Sequence, residues 1–185
     1  MVSFGEGLDR ALQQAFTRPI PKTAGAQMRY LVKQMKGSTR KVAELLGISQ
    51  RTVERYIKDQ IKKPRPQLAA GMEREVNKRW QPQVRAKARQ AAATTDGIMI
   101  DTRARFGFTA APGTTDDARM RHLTVALPPR HAARLFEARD EGADERRLRQ
   151  IAAEALGDVY FRDDGRRAHG LMVEYTDPEH VEFEL

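Results

Sequence analysis

The stretch that most restricts the fold is Thr39-Arg40-Lys41-Val42-Ala43-Glu44-Leu45-Leu46-Gly47-Ile48-Ser49-Gln50-Arg51-Thr52-Val53-Glu54-Arg55-Tyr56-Ile57-Lys58. Ala43 suits a point where two helix backbones come close. Gly47 suits the residue that leaves a first helix with positive φ, which costs glycine little. Ser49 suits the N-cap of a second helix, accepting a bond from its open N–H groups. Val42, Leu46, Ile48, Val53, Tyr56 and Ile57 then line one shared apolar seam. All these requirements fall in register, and they predict a helix-turn-helix over about Thr39 to Lys58.

In such a motif the second helix lies in the DNA major groove with its N-terminal residues against base edges. Gln50, Arg51 and Thr52 are the leading candidates, with Glu54 and Arg55 next. Arginine matches guanine and glutamine matches adenine because their groups meet those edges in pairs. Lys36, Arg40, Lys41, Lys58, Lys62 and Lys63 are placed to contact phosphates. A charged helical hairpin on a solvated surface is the plainer alternative, and it leaves the alignment of Ala43, Gly47 and Ser49 unexplained.

Charge points the same way. Residues 1–93 hold 20 Lys and Arg against 7 Asp and Glu, whereas residues 94–185 hold 13 against 18, and all nine lysines lie at or before Lys87. A basic half joined to a mildly acidic half implies two modules with different partners. The expected architecture is a mainly α helix-turn-helix domain over 1–93 and a small α+β domain over 94–185. The 185 residues include no cysteine, which excludes a disulfide framework and thiolate metal ligands. The four histidines, His122, His131, His169 and His180, are scattered, so no metal site is expected. The opening Met1-Val2-Ser3-Phe4-Gly5-Glu6 lacks a signal-peptide pattern, and no stretch approaches the roughly 18 apolar residues of a membrane span. The expectation is a soluble cytoplasmic protein with no membrane partner.

Periodicity predicts the remaining elements. Phe4, Leu8, Leu12 and Phe16 mark a helix over 5–17, and Met28, Leu31, Val32 and Met35 mark another from Gly25 to Lys36. After the basic hinge Lys62-Lys63-Pro64-Arg65-Pro66, a helix carries Leu68, Met72, Val76 and Trp80, and Pro82 breaks or kinks it. Residues 83–93 continue helical, and Thr94-Thr95-Asp96-Gly97 reads as a turn and domain boundary. Ile98, Ile100, Thr102, Ala104, Phe106 and Phe108 alternate with Met99, Asp101, Arg103, Arg105 and Gly107, the period of a half-buried strand. A loop over 110–114, a short helix at about 116–124 and helices near 129–140 and 144–157 follow. Val159-Tyr160-Phe161, the turn Asp163-Asp164-Gly165 and Leu171, Val173 and Tyr175 predict a hairpin. Val181 to Leu185 predicts a last strand.

The segment Arg103-Ala104-Arg105-Phe106-Gly107-Phe108-Thr109-Ala110-Ala111-Pro112-Gly113-Thr114-Thr115-Asp116-Asp117-Ala118-Arg119 bears a second signal. Pro112-Gly113 makes a turn, after which Thr114 or Thr115 N-caps the expected helix, with Asp116 and Asp117 in its first turn. Together with Gly7-Leu8-Asp9-Arg10, Gln14 to Pro19, Gly25 to Leu31, the Thr39–Lys58 stretch and Trp80-Gln81-Pro82, this segment resembles the telomere terminal proteins (Tpg type) of actinobacterial linear chromosomes and plasmids. The resemblance extends over essentially the full length.

That resemblance implies a protein that caps the 5′ ends of linear replicons and primes telomere synthesis. It also implies that the acceptor is a threonine of this loop, mapping onto Thr114, with Thr115 next and Thr109 below it. The hydroxyl attacks the α-phosphate of a dNTP, pyrophosphate leaves, and a phosphodiester joins protein to DNA. A threonine hydroxyl is a weak nucleophile, and the polymerase's Mg²⁺ ions would activate it. The protein is then a nucleotidyl acceptor rather than an enzyme. It needs no cofactor of its own, because dNTP and Mg²⁺ come with the polymerase. Implied partners are telomeric DNA, a DNA polymerase and a telomere-associated recruiting protein, at the DNA ends of the nucleoid. The alternative is a helix-turn-helix transcriptional regulator with a C-terminal sensing or dimerisation domain. A third reading, Asp116, Asp117, Asp163 and Asp164 as metal ligands of an enzyme, rests on two ordinary Asp-Asp pairs.

Overall fold

The computed structural model describes residues 3–109, 115–161 and 172–185. In chain order the elements are α1 (Phe4–Gln14), α2 (Ala24–Gln34), α3 (Thr39–Leu46), α4 (Gln50–Ile57), α5 (Pro66–Arg79) and α6 (Pro82–Ala91). A π-helical turn (Ala92–Asp96) leads to β1 (Ile98–Thr109) and β2 (Thr115–Leu127). Then come α7 (Pro129–Asp140), α8 (Glu145–Leu156), a second π-helical turn (Gly157–Phe161) and β3 (Met172–Glu184). The chain is an α+β mixture. It divides into two compact units, one of Thr17–Pro82 and one of Met1–Phe16 with Gln83–Leu185.

The Thr17–Pro82 unit is helical, with Met28, Leu31, Val42, Ala43, Val53, Tyr56, Met72 and Val76 buried at its centre. Its two chain ends are laced together. The backbone N–H and hydroxyl of Thr17 both donate to Gln81 Oε1, and Trp80 Nε1 donates to the Arg18 carbonyl at 3.1 Å. This closure makes the unit an insertion within the chain of the other, and explains why α1 lies outside it. The expected boundary at 93/94 is thereby replaced by a pair of boundaries at 16/17 and 82/83.

In the other unit, β1 is the centre of a three-stranded antiparallel sheet of order β2-β1-β3. Ile98, Ile100, Thr102, Ala104 and Phe106 are buried, as the alternation predicts. They join Leu123, Val125 and Leu127 of β2, Tyr175, Val181 and Phe183 of β3, and the inward faces of α1, α7 and α8 in one core. The N-terminus of α1 is held by the first turn of α8. Glu145 accepts from the backbone N–H of Phe4 at 2.6 Å, that of Gly5 at 3.1 Å and the Ser3 hydroxyl at 2.8 Å. A carboxylate on open N–H groups at a helix start is favoured by both hydrogen bonding and the helix dipole. Gly97, at φ +76, approaches the Leu127 carbonyl so closely that a β-carbon would collide with it.

Three expectations are corrected. Residues 116–124 form part of β2, not a helix, because Leu123, Val125 and Leu127 alternate and the strand pairs along β1 from Ile98↔Leu127 to Thr109↔Thr115. The helix that Thr114 or Thr115 was expected to cap is therefore absent, and Thr115 instead begins a strand. Val159-Tyr160-Phe161 lies in a π-helical turn rather than a hairpin strand. Val173, Tyr175 and Val181 to Glu184 share the single strand β3. Thr176-Asp177-Pro178 form a bulge within it, with the register moving from Arg103↔His180 to Arg105↔Thr176 and Asp177 at φ +48. The shift inserts two residues, so the side-chain phase is kept and Tyr175 faces inward with Val181 and Phe183. The expected turn Asp163-Asp164-Gly165 and Leu171 lie outside the described residues.

Candidate nucleic-acid interface

The α3–α4 pair is built by the residues that single it out in the sequence. Ser38 caps α3 by accepting from the Lys41 N–H at 3.2 Å. Gly47 ends α3 at φ +64 and ψ +34, the left-handed conformation in which a β-carbon is strained. Ile48 N–H closes back on the Ala43 carbonyl at 3.0 Å. Ser49 caps α4, its hydroxyl accepting from the Thr52 N–H at 3.2 Å and lying 2.8 Å from the Thr52 hydroxyl. Val42, Ala43, Val53 and Tyr56 are buried beneath, with Leu46, Ile48 and Ile57 partly buried against them.

The far end of α4 is anchored as well. Arg29 of α2 donates from Nη1 to the Ile57 carbonyl and to Asp59 Oδ2, both at 2.8 Å. Tyr30 donates to the Arg79 carbonyl and packs edge-on against Trp80, centroids 4.8 Å apart. Burial of the Tyr30 ring raises its phenol pKa, partly offset by the Arg79 charge.

The apolar seam turns the opposite face of α4 outward. Gln50, Arg51 and Arg55 are exposed and Thr52 is half-buried. Arg51 and Arg55 have no side-chain hydrogen bond or ion pair among the described residues. Gln50 is engaged, its Nε2 donating to Thr39 Oγ1 at 2.9 Å and to Glu54 Oε1 at 3.2 Å. Thr39 thus takes part in the site, a role that helical spacing does not reveal because it lies on the other helix. The phosphate candidates Arg40, Lys41, Lys58, Lys62 and Lys63 are all exposed, and Lys36 is exposed at φ +55. Arg40 also pairs with Glu44 at 3.0 Å. The whole Thr17–Pro82 unit holds 16 Lys and Arg against 5 Asp and Glu.

Thr114 lies outside the described residues. The residues flanking 110–114, Thr109 and Thr115, are register partners at the end of the β1–β2 ladder, and Asp116 and Asp117 follow in β2. Asp163 and Asp164 also lie outside the described residues. On the face of the sheet turned away from the helices, Asp101 receives the Thr124 hydroxyl and stands 3.0 Å from His122 Nε2 and 3.2 Å from His180 Nε2. The Thr124 hydrogen bond, then that from His122, lower the Asp101 pKa. Among the described residues, no group of three or more His, Asp or Glu has the arrangement of a metal site, and no helix is long and apolar enough to cross a membrane. Comparison with protein-family models, with curated proteins and with solved structures finds no match.

Proposed function

We propose that this chain is a DNA-binding terminal protein of linear replicons, with α3 and α4 acting as a helix-turn-helix and the Thr114 hydroxyl as nucleotidyl acceptor. The observation that carries the DNA-binding part is the arrangement of α4. Its Ser49 cap and apolar seam fix one side, which leaves Gln50, Arg51 and Arg55 exposed on the other, and Lys41, Lys58, Lys62 and Lys63 are exposed in the same unit. In this reading Arg51 and Arg55 meet base edges and the lysines meet phosphates, so contacts that fix register are separate from those that read sequence.

The priming part is supported by the resemblance to telomere terminal proteins. The Thr114 oxygen attacks the α-phosphorus of a dNTP, the bond to pyrophosphate breaks, and the hydroxyl proton passes to solvent or to a polymerase base. The polymerase supplies the metal ions and the active site; this chain supplies the nucleophile. Incubation with labelled dNTP, Mg²⁺, telomeric template and polymerase-containing extract tests it. Label that survives denaturation and is absent from Thr114→Ala is the expected result.

The alternative is a helix-turn-helix transcriptional regulator with a C-terminal sensing or dimerisation domain. It takes precedence if wild-type protein stays unlabelled while the same extract extends a control primer.

A further inference from the structure

Gln50 opens α4, and both protons of its amide nitrogen are committed, one to Thr39 Oγ1 and one to Glu54 Oε1. The Glu54 carboxylate oxygen is an acceptor, so the amide end that faces it is the nitrogen; the chemistry of the neighbour fixes the orientation of the group. What Gln50 offers outward is Oε1 alone, an acceptor. The familiar glutamine–adenine pair needs more than that. It requires a donor to N7 together with an acceptor for the N6 amine.

We propose that Gln50 is a specificity-determining residue that reads one exocyclic amine in the major groove. The inference rests on the proposal that α4 enters that groove. The amines displayed there are adenine N6 and cytosine N4, whereas guanine presents O6 and N7 and thymine presents O4, all acceptors. A lone acceptor accepts adenine or cytosine and rejects guanine and thymine, because two acceptors face to face leave both without a proton. Thr39 and Glu54 are positioning residues. They hold the amide so that its oxygen faces away from α3, and they keep the nitrogen from pairing with N7.

The test uses the full chain. Duplexes selected from a random pool by wild type and by Gln50→Ala identify the base pair whose preference depends on Gln50. If that base is adenine, it is replaced by purine, which lacks the N6 amine, or by 7-deazaadenine, which lacks the N7 acceptor. If it is cytosine, it is replaced by 2-pyrimidinone, which lacks the N4 amine. Removing the amine is expected to weaken wild-type binding about tenfold and to leave Gln50→Ala unaffected, while 7-deazaadenine changes neither. Thr39→Val, which releases one amide proton, is expected to acquire sensitivity to 7-deazaadenine. The inference is overturned if removing the amine from that pair leaves wild-type binding unchanged. It is equally overturned if 7-deazaadenine costs wild type as much as loss of the amine, or if Gln50→Ala selects the same site as wild type. Those outcomes, with sequence-selective binding that still depends on Arg51, refute the role of Gln50 alone. Absence of duplex binding by wild-type protein refutes both it and the reading of α4.

Discussion

Arg29 grips α4 from outside it, donating to the Ile57 carbonyl and to Asp59 Oδ2 at the same 2.8 Å. The carbonyl bond satisfies one of the acceptors that every helix leaves open at its C-terminus. The two side chains are roughly half exposed, 47% and 57%, so the ion pair itself contributes little. Arg29→Ala is expected to destabilise the unit by about 1 kcal/mol, mostly through the lost carbonyl bond. Asp59→Asn should cost less. Urea unfolding of each variant measures the difference.

Ser49 and Gly47 set the other end of α4. Ser49→Ala leaves the Thr52 N–H without its acceptor and should cost about 1 kcal/mol. Gly47 has open space around it, so Gly47→Ala meets no clash and should cost only the left-handed backbone penalty, about 1 kcal/mol. Thermal unfolding followed by circular dichroism, with DNA affinity measured in parallel, checks both. Each should weaken binding in proportion to the stability lost from α4.

Tyr175 predicts an alkaline limit. Burial pushes its phenol pKa up to about 12 from the usual 10, opposed by the hydrogen bond with Thr102 and the Arg149 charge. A raised folded-state pKa means that the protonated form is the one the fold favours. The associated stability is therefore fully present below pH 10 and is lost as pH rises towards 12, by about 2–3 kcal/mol. Tyr175→Phe should flatten that decline. Thr102 would still donate to the His180 carbonyl at 2.8 Å, so its hydroxyl keeps a partner.

Asp101 predicts the opposite dependence. Its pKa lies below the ordinary 3.8, chiefly through the Thr124 hydroxyl and then His122. A lowered folded-state pKa contributes stability that is present above about pH 4 and is lost as pH falls through the folded value. Asp101→Asn should remove this component of acid unfolding, detectable by comparing denaturant midpoints at pH 3 and pH 6.

Elements whose apolar residues recur at helical spacing are legible from sequence: Met72 and Val76 of α5, or Leu148, Ile151 and Ala152 of α8, lie buried as their spacing predicts. Periodicity names a buried face but not what covers it. Phe4, Leu8 and Leu12 mark α1 as a helix and Ser3 caps it locally by accepting from the Glu6 N–H, yet the N–H groups of Phe4 and Gly5 are held by Glu145, far along the chain. In β2, a threonine followed by two aspartates imitates a helix start, while the ladder that decides the matter depends on β1. The Asp177-Pro178 bulge, which keeps Tyr175 and Val181 in one strand, likewise shows only in the pairing with β1. In the candidate interface, the Gly47 and Ser49 geometry is local and therefore readable. The engagement of Gln50 by Thr39 joins two helices and shows only when they are packed.

The central claim, that the exposed face of α4 binds DNA, is tested most directly by fluorescence anisotropy of the full chain on labelled telomeric duplex across a salt series. With about five cations neutralising phosphates, log affinity should fall against log salt with a slope near −4.5. Arg51→Ala should weaken binding by about tenfold or more while its circular dichroism and unfolding midpoint match wild type, because Arg51 is exposed. Binding that is insensitive to salt, or as tight in Arg51→Ala as in wild type on every duplex tested, would contradict it.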